Sequence, residues 1–156
     1  MSKQNVVAIG AEVADFILKD QNGQAFQLSA YLGKKVLLSL HPLAWTPVCA
    51  SQMKSLESRK EIFDSFNAVA VGISVDSVPC KAAWAKDLGV LKTSLLSDFW
   101  PHGHVAQSLG LFREPDGFSE RANVIIGAAG IAVFVKVYPL REIPDINEIV
   151  TFLEGM

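Results

Sequence analysis

The sequence predicts an α/β fold with a mixed central sheet, flanked by helices and preceded by an N-terminal β-ribbon. Short apolar runs such as "AVAVGISV" (68–75) are typical of strands covered on both faces. Helical patterns separate these runs, and "ANVIIGAAGIAVFVKVY" holds two strand-like runs joined by Gly-Ala-Ala-Gly, which predicts a hairpin. The chain has 156 residues, half of them hydrophobic and 19% charged, so residues 1–156 are expected to form one domain.

The first half of the chain begins with the ribbon "FILKDQNGQAFQL", which is predicted to turn at Asn22-Gly23. The apolar run Leu37–Leu40 follows and is predicted to be a buried strand. A single helix is expected from Pro47 to about Phe66, because apolar side chains recur there at steps of three and four, with Lys60 as the one break.

The second half alternates short strands and helices. The predicted elements are a helix over 78–89 that ends at Gly89, a strand over 95–98, a helix stopped by Gly110, hairpin strands over 124–126 and 131–138, and a final helix capped by Asp145. Strand–helix–strand followed by hairpin–helix is the connectivity of a thioredoxin-like sheet. Its central strands are parallel, one edge is antiparallel, and helices cover both faces.

Composition excludes several classes of partner. The net charge is −2 and no lysine- or arginine-rich run is present, so neither nucleic acid nor an anionic membrane is expected to bind. The apolar patch Val6–Ile9 is too short for a signal peptide, and no run approaches the ~18 residues of a membrane span. We expect a soluble, cytoplasmic protein, in which two cysteines are poor evidence for a structural disulfide. Redox chemistry, metal binding and simple burial all remain open for them.

The stretch "LSLHPLAWTPVCASQMKSL" places one of these cysteines, Cys49, just past a predicted strand. Thr46 is a good N-cap and Pro47 suits the first helical position, so Cys49 falls at the third. A thiolate there would face unpaired backbone N–H groups and the positive end of the helix dipole, which favour the charged form. The Thr46 hydroxyl could donate to that sulfur or to an incoming oxygen. The alternative is that Cys49 is a small buried hydrophobe.

The pattern Pro42-x-x-x-Thr46-x-x-Cys49 after a buried strand resembles the peroxiredoxin signature. The ribbon, "VGISVDS", "LLSDF.PHG" and "SERANVIIGAAGIAVFV" follow in the order that this family shows. The chain is similar to the small bacterial type of the alkyl hydroperoxide reductase and thiol-specific antioxidant family, which lacks a C-terminal arm. The resemblance implies a thioredoxin-like fold and an antioxidant thiol peroxidase that reduces hydrogen peroxide and organic hydroperoxides without a cofactor.

The resemblance also assigns roles to residues. Cys49 would attack the peroxide O–O bond and become a sulfenic acid. Thr46 would hydrogen-bond the peroxide, Pro42 would shield the sulfur from water, and Arg121 in "SERANVII" would orient the thiolate and stabilise the developing oxygen charge.

Three further residues have less definite roles. Trp45 is expected to line the active-site pocket or a subunit contact. Gln52 stands where many relatives carry Glu, which leaves the hydrogen-bond relay open. Cys80 should lie at the start of the next helix, on the same rim of the sheet, where the helix dipole predicts a lowered pKa.

A second thiol must resolve the sulfenic acid. Cys80 within the chain, Cys80 of another subunit and an external thiol all remain possible. A direct bond to Cys49 needs Cα atoms within about 7 Å, so the helix holding Cys49 would have to unwind locally. A thioredoxin- or glutaredoxin-type protein would then reduce the disulfide, and the resemblance suggests a homodimer.

The alternative from another class is a thioredoxin-fold binding or metal-carrier protein that uses Cys49 and a histidine. Its candidate ligands are His41, His102 and His104, although no spacing matches a standard zinc signature. Dithiol exchange is disfavoured, because Thr46 stands where thioredoxins carry the first cysteine. Two aspartates at strand ends, Asp76 and Asp98, are predicted to cap helices.

Overall fold

The computed structural model describes residues 5–156. Its strands are β1 (Ile17–Lys19), β2 (Ala25–Gln27), β3 (Lys35–Leu40), β4 (Ala68–Ser74), β5 (Ser94–Ser97), β6 (Phe112–Arg113), β7 (Phe118–Ser119), β8 (Arg121–Ile126) and β9 (Ala132–Tyr138). Its helices are α1 (Pro47–Ser58), α2 (Lys60–Ser65), α3 (Val78–Leu88), α4 (His104–Ser108) and α5 (Ile146–Glu154), with a 3₁₀ turn over Leu28–Tyr31.

The main sheet has the strand order β2-β1-β5-β4-β3-β8-β9. Strands β3, β4 and β5 are parallel, whereas β8 and β9 run antiparallel to their neighbours. The predicted mixed sheet, N-terminal ribbon and C-terminal hairpin are therefore confirmed. The small β6–β7 ribbon was not predicted from the sequence.

Alternate residues of the central strands supply two buried clusters, one on each face of the sheet. Leu37 on β3 packs in the cluster that contains Met53 and Leu56 of α1, Trp84 of α3 and Ile149 of α5. The neighbouring strand positions face the other way, toward residues of α4 and the N-terminal ribbon. Helices thus cover both faces, as predicted. Within residues 5–156, no helix is long and apolar enough to span a bilayer.

The single helix predicted from Pro47 to about Phe66 is wrong, since the segment forms α1 and α2. The break lies at Arg59, which has φ −107° and ψ 11°. Its backbone N–H donates to the Leu56 carbonyl, three residues earlier, instead of continuing the α-helical pattern. Both helices bury their apolar side chains in the same cluster. The apolar spacing therefore continues through a break that only the backbone hydrogen bonds reveal.

The topology brings distant segments together at the end of the sheet where the parallel strands finish. The C-terminal ends of β3, β4 and β5 lie there, as expected for a reactive site in an open α/β sheet. Strand β8 runs antiparallel beside β3 with Ala122 opposite Leu40, so β8 begins where β3 ends. Arg121, the first residue of β8, accordingly lies at the edge where α1 starts.

Candidate active site

Cys49 occupies the third position of α1, as predicted, and its side chain is fully buried. Thr46 is the residue before the helix, with extended backbone angles. Its hydroxyl does not cap the helix, however. It donates instead to the carbonyl of Leu43, three residues earlier in the loop before α1, at 2.8 Å. The oxygen of this hydroxyl keeps its capacity to accept a hydrogen bond.

Arg121 binds the sulfur of Cys49 directly. Its Nη1 donates to Cys49 Sγ at 3.3 Å and to the Gln52 Oε1 at 2.8 Å. Its Nε and Nη2 both donate to the Leu140 carbonyl, at 3.0 and 2.8 Å. The guanidinium is therefore held on two sides, and its position beside Cys49 does not depend on the sulfur itself.

Gln52 uses both ends of its amide. The oxygen accepts from Arg121, while Nε2 donates to Ser39 Oγ at 2.7 Å and to the Leu40 carbonyl at 3.1 Å. An ionised glutamate would have no hydrogen to offer to the Leu40 carbonyl. The glutamine therefore suits its surroundings in this chain, and it fixes Arg121 relative to β3.

The hydrogen bonds continue across the sheet to the last helix. Ser39 Oγ donates to Asn123 Oδ1 at 2.7 Å, and Asn123 Nδ2 donates to the Tyr138 hydroxyl at 3.3 Å. The Tyr138 hydroxyl donates to Glu148 Oε1 at 2.7 Å. These residues were not singled out from the sequence. Their signal is a polar residue inside an otherwise apolar strand, as in "LLSL" and "RANVII".

Pro42 and Trp45 flank the entrance to α1. Pro42 is buried two residues after the end of β3. Trp45 is 53% exposed and has φ +67°, a left-handed conformation that is costly for a residue other than glycine. That Trp45 lines the active-site pocket or a subunit contact stays a prediction, and more than half of its surface is open to solvent.

Cys80 lies at the third position of α3, half-buried, and both cysteines are free thiols. Its Sγ lies 3.8 Å from Asp76 Oδ1. Burial and the neighbouring negative charge of Asp76 raise the pKa of Cys80, although the Trp45 side chain acts in the opposite direction. The prediction of a lowered pKa is therefore wrong, because these effects outweigh the helix terminus.

Asp76 does not cap α3 as predicted, because Ser77 accepts the hydrogen bond from the Cys80 N–H. Asp76 Oδ2 instead accepts from the Ala44 N–H at 2.8 Å and from the Ser74 hydroxyl at 2.6 Å. It ties the loop before α1 to the end of β4.

A buried lysine–histidine pair lies at the same end of the sheet, and the sequence analysis did not identify it. Lys81 Nζ lies 3.1 Å from His41 Nε2, and both side chains are fully buried. Burial lowers the pKa of Lys81 to about 7, against the opposing influence of the negative charges of Asp76, Cys49 and Cys80. Burial, followed by the charge of Lys81, also holds the pKa of His41 well below its usual range. The sequence signal was the i, i+3 spacing of Lys81 and Trp84, which puts the lysine on the buried face of α3.

The other two histidines have structural partners. His102 Nε2 lies 2.7 Å from the Gly117 carbonyl oxygen, and His104 Nδ1 lies 3.1 Å from Asp98 Oδ1. Asp98 accepts from two backbone N–H groups of α4, which confirms the predicted cap. In the part of the chain that the structure describes, no group of three or more His, Cys, Asp or Glu residues is arranged to hold a metal.

This arrangement suits nucleophilic chemistry at sulfur. The Cys49 sulfur lies in the first turn of a helix with an arginine donor in contact, so the helix terminus and the guanidinium both place positive charge beside it. The same guanidinium is a fixed donor for negative charge that develops next to the sulfur.

Comparisons with known proteins agree with this chemistry. Residues 9–135 match the model of the AhpC/TSA family. The chain is 38% identical to the alkyl hydroperoxide reductase E of Mycobacterium tuberculosis over 138 residues, which cover 88% of this chain and 90% of that protein. Among solved structures, peroxidoxin BcpB of Mycobacterium tuberculosis superposes with a TM-score of 0.84 at 27% identity, covering 96% of this chain and 98% of that one.

A solved structure from another organism gives the same result. The reduced 2-Cys peroxiredoxin of Plasmodium vivax superposes with a TM-score of 0.86 at 27% identity, covering 94% of this chain and 80% of that one. With these matches and the site geometry, the chain belongs to the AhpC/TSA family and is a peroxiredoxin, a thiol-dependent peroxidase of thioredoxin-like fold.

Proposed function

We propose that the chain reduces hydrogen peroxide and organic hydroperoxides through Cys49. The contact of 3.3 Å between Arg121 Nη1 and Cys49 Sγ carries this proposal, since it joins residues 72 positions apart at one reactive atom. The Cys49 thiolate attacks one peroxide oxygen, so that an S–O bond forms and the O–O bond breaks. Cys49 becomes a sulfenic acid, and the displaced hydroxide or alkoxide takes up a proton to leave as water or an alcohol.

The neighbouring residues support this step in distinct ways. Arg121 stabilises the charge that moves from sulfur to the departing oxygen. The Thr46 hydroxyl, which donates to the Leu43 carbonyl, accepts a hydrogen bond from the peroxide. Pro42 is buried beside the loop and limits access of water to the sulfur.

We further propose that Cys80 resolves the sulfenic acid, giving a Cys49–Cys80 disulfide and one water molecule. Support comes from the position of Cys80 at the start of α3, on the rim where α1 begins, and from there being two cysteines in the sequence. Cys49 is fully buried, so the first turn of α1 must open for this reaction. The raised pKa of Cys80 slows this step, because only its thiolate attacks. A thioredoxin- or glutaredoxin-type protein then supplies two electrons to restore both thiols.

The test separates the two cysteines. Cys49→Ser is expected to abolish peroxide consumption, whereas Cys80→Ser, the matched control, should keep the first oxidation and lose the disulfide. Intact mass after one equivalent of peroxide reports the outcome. Loss of two hydrogens from the wild-type chain supports resolution by Cys80, and gain of one oxygen without that loss contradicts it. Peroxidase activity that survives in Cys49→Ser contradicts the proposed function.

We also propose a homodimer in the cytoplasm, with residues 1–156 as one domain. Support for the dimer comes from exposed apolar side chains in the loops after β3 and β5, namely Trp45, Phe99 and Trp100, whose burial between subunits would remove them from water. Two free cysteines suit a reducing compartment. Sedimentation velocity on the wild-type chain and on Trp100→Ser tests the dimer, and a monomeric wild-type protein at micromolar concentration would contradict it.

A further inference from the structure

Two polar side chains face each other inside the sheet, at positions whose neighbours are apolar. Ser39 of β3 lies opposite Asn123 of β8, and the two are 0% and 2% exposed. The preceding pair on the same face, Leu37 and Ile125, packs into the buried cluster that includes residues of α1 and α5. Apolar residues at 39 and 123 would extend that cluster without burying polar groups, which is costly unless they are hydrogen-bonded. Packing alone therefore does not account for this pair.

The pair belongs to a line of hydrogen bonds whose first members have fixed roles. Arg121 Nη1 donates to Gln52 Oε1 at 2.8 Å, and a guanidinium can only donate. Gln52 Nε2 lies 3.1 Å from the Leu40 carbonyl oxygen, which can only accept. These two contacts fix which end of the Gln52 amide faces Arg121. The second hydrogen on Nε2 goes to Ser39 Oγ at 2.7 Å, so the serine oxygen accepts it.

The last members of the line also have fixed roles. The Tyr138 hydroxyl donates to Glu148 Oε1 at 2.7 Å. Hydrogen bonds from Lys136 and Tyr138 lower the pKa of Glu148, so its carboxylate is an acceptor at neutral pH. The Tyr138 oxygen then accepts from Asn123 Nδ2 at 3.3 Å, and Asn123 Oδ1 accepts from the Ser39 hydroxyl at 2.7 Å. Every group between the guanidinium and the carboxylate therefore donates in the same direction.

We propose that Ser39 and Asn123 are positioning residues for the peroxidase reaction, because they hold the Gln52 amide with its oxygen against Arg121. Asn123 takes the hydroxyl hydrogen of Ser39, so the serine oxygen faces Gln52 as an acceptor. Arg121 Nη1 contacts both Gln52 Oε1 and Cys49 Sγ, at 2.8 and 3.3 Å, so the amide determines where the guanidinium meets the sulfur. This inference rests on the proposed roles of Cys49 and Arg121 in peroxide reduction.

The first experiment measures the rate constant of Cys49 oxidation by hydrogen peroxide, using stopped-flow tryptophan fluorescence. Ser39→Ala is expected to react about tenfold more slowly, the factor that one hydrogen bond of typical net strength supplies. The matched control is Ser97→Ala, which removes a buried strand serine whose hydroxyl donates to the Asp76 carbonyl. The control should retain the wild-type rate constant. A folded Ser39→Ala protein within about twofold of the wild type overturns the proposal.

A double variant separates positioning from a purely structural role. Because Ser39 acts on the reaction through Gln52, Ser39→Ala is expected to cost no further rate once Gln52→Met has removed the amide. A general loss of stability would not produce this pattern, since the rate constants are compared under conditions in which all the variants are folded. An equal loss of about tenfold with and without Gln52→Met would show that the hydroxyl acts independently of the amide, and would overturn the proposal.

A second experiment requires no substitution at Ser39. Nitrogen-15 NMR measures hydrogen exchange of the Gln52 side-chain amide in the wild-type chain. Gln24 is the reference for an exposed amide, and Gln21, whose amide is buried and bonds at both ends, is the reference for a held one. Exchange at Gln52 is expected to be as slow as at Gln21. Exchange as fast as at Gln24 overturns the proposal.

The same method follows the Arg121 guanidinium, which reports the effect at the site itself. Its signals should shift in Ser39→Ala and stay in place in Ser97→Ala. Unchanged Arg121 signals in Ser39→Ala would assign the serine a purely structural role and overturn the proposal. Each of these results can go against the proposal while peroxide consumption still depends on Cys49, and the proposed function would then stand.

Discussion

Replacing Arg121 with methionine is expected to slow the oxidation of Cys49 by two to three orders of magnitude. The substitution keeps a long side chain on β8 but removes the positive charge and the hydrogen bond to the sulfur. It also removes the donor to Gln52 and both donors to the Leu140 carbonyl. The helix terminus at Cys49 is left in place, so the change isolates the contribution of the guanidinium.

The magnitude follows from the contact distance. Two unit charges 3.3 Å apart attract each other by about 5 kcal/mol at an effective dielectric constant of ~20. Water that enters the vacated space recovers part of this energy. Loss of one fixed donor to a developing oxygen anion typically costs roughly 3–4 kcal/mol, a factor of 10²–10³ in rate. The two values agree in order of magnitude, and the second is the better guide because it includes relaxation.

The assay is stopped-flow mixing of the reduced protein with hydrogen peroxide, followed by intrinsic tryptophan fluorescence. The matched control is Arg113→Met, which removes a partly exposed arginine paired with Asp116 and Glu120. The control should retain the wild-type rate constant. Denaturation curves are needed as well, because the Leu140 carbonyl left without a donor is expected to cost about 1–3 kcal/mol of stability. A folded Arg121→Met protein whose rate constant lies within about threefold of the wild type would refute the electrostatic argument.

Three further substitutions test the framework around the site. Glu57→Gln is expected to lower the free energy of unfolding by about 1 kcal/mol at neutral pH, because the carboxylate accepts hydrogen bonds from three backbone amides before β5. Burial tends to raise the pKa of Glu57, but these hydrogen bonds together lower it, so the stabilisation is present above the unfolded-state pKa and is lost as the pH falls through the folded-state pKa. Urea denaturation curves of the variant and wild type should therefore converge in acid. Gly72→Ala should cost about 1–2 kcal/mol in the same assay, since the added methyl group would overlap Met53 Sδ, and an unchanged urea midpoint would contradict the packing. Tyr138→Phe should cost about 1 kcal/mol by removing the hydroxyl that binds Glu148, and equal stability would show that this link is not used.

Much of this fold follows from local patterns. The ribbon turn at Asn22-Gly23, the strand over 68–74 and the α3 helix ending at Gly89 each combine a periodic run with a specific turn or cap residue. The α1–α2 break escaped prediction because the apolar stripe is continuous across it. The two residues of β6 are too few to show any period.

The residues of the site also divide into those that a local sequence pattern predicts and those whose role depends on tertiary structure. The position of Cys49 at a helix start can be read from Thr46 and Pro47, which are adjacent in the chain. The role of Arg121 came only from a family resemblance, because strand pairing between β3 and β8 brings it to the sulfur and no local pattern records that pairing. The burial of Lys81 and the raised pKa of Cys80 depend on side chains from several elements, so no local sequence pattern predicts them.

The attachment of Arg121 to the Leu140 carbonyl has a consequence for how the enzyme is made. The segment from Pro42 to Cys49 leaves the ribosome long before residue 140 is added. Until Leu140 reaches its place beside β8, the guanidinium lacks two of its four hydrogen bonds and the sulfur lacks its fixed partner. The link from Asn123 through Tyr138 to Glu148 in α5 is also completed only after residue 148 has been added. A nascent chain therefore carries Cys49 before the groups that hold Arg121 are in place, and we expect full peroxide reactivity only after they have joined the fold.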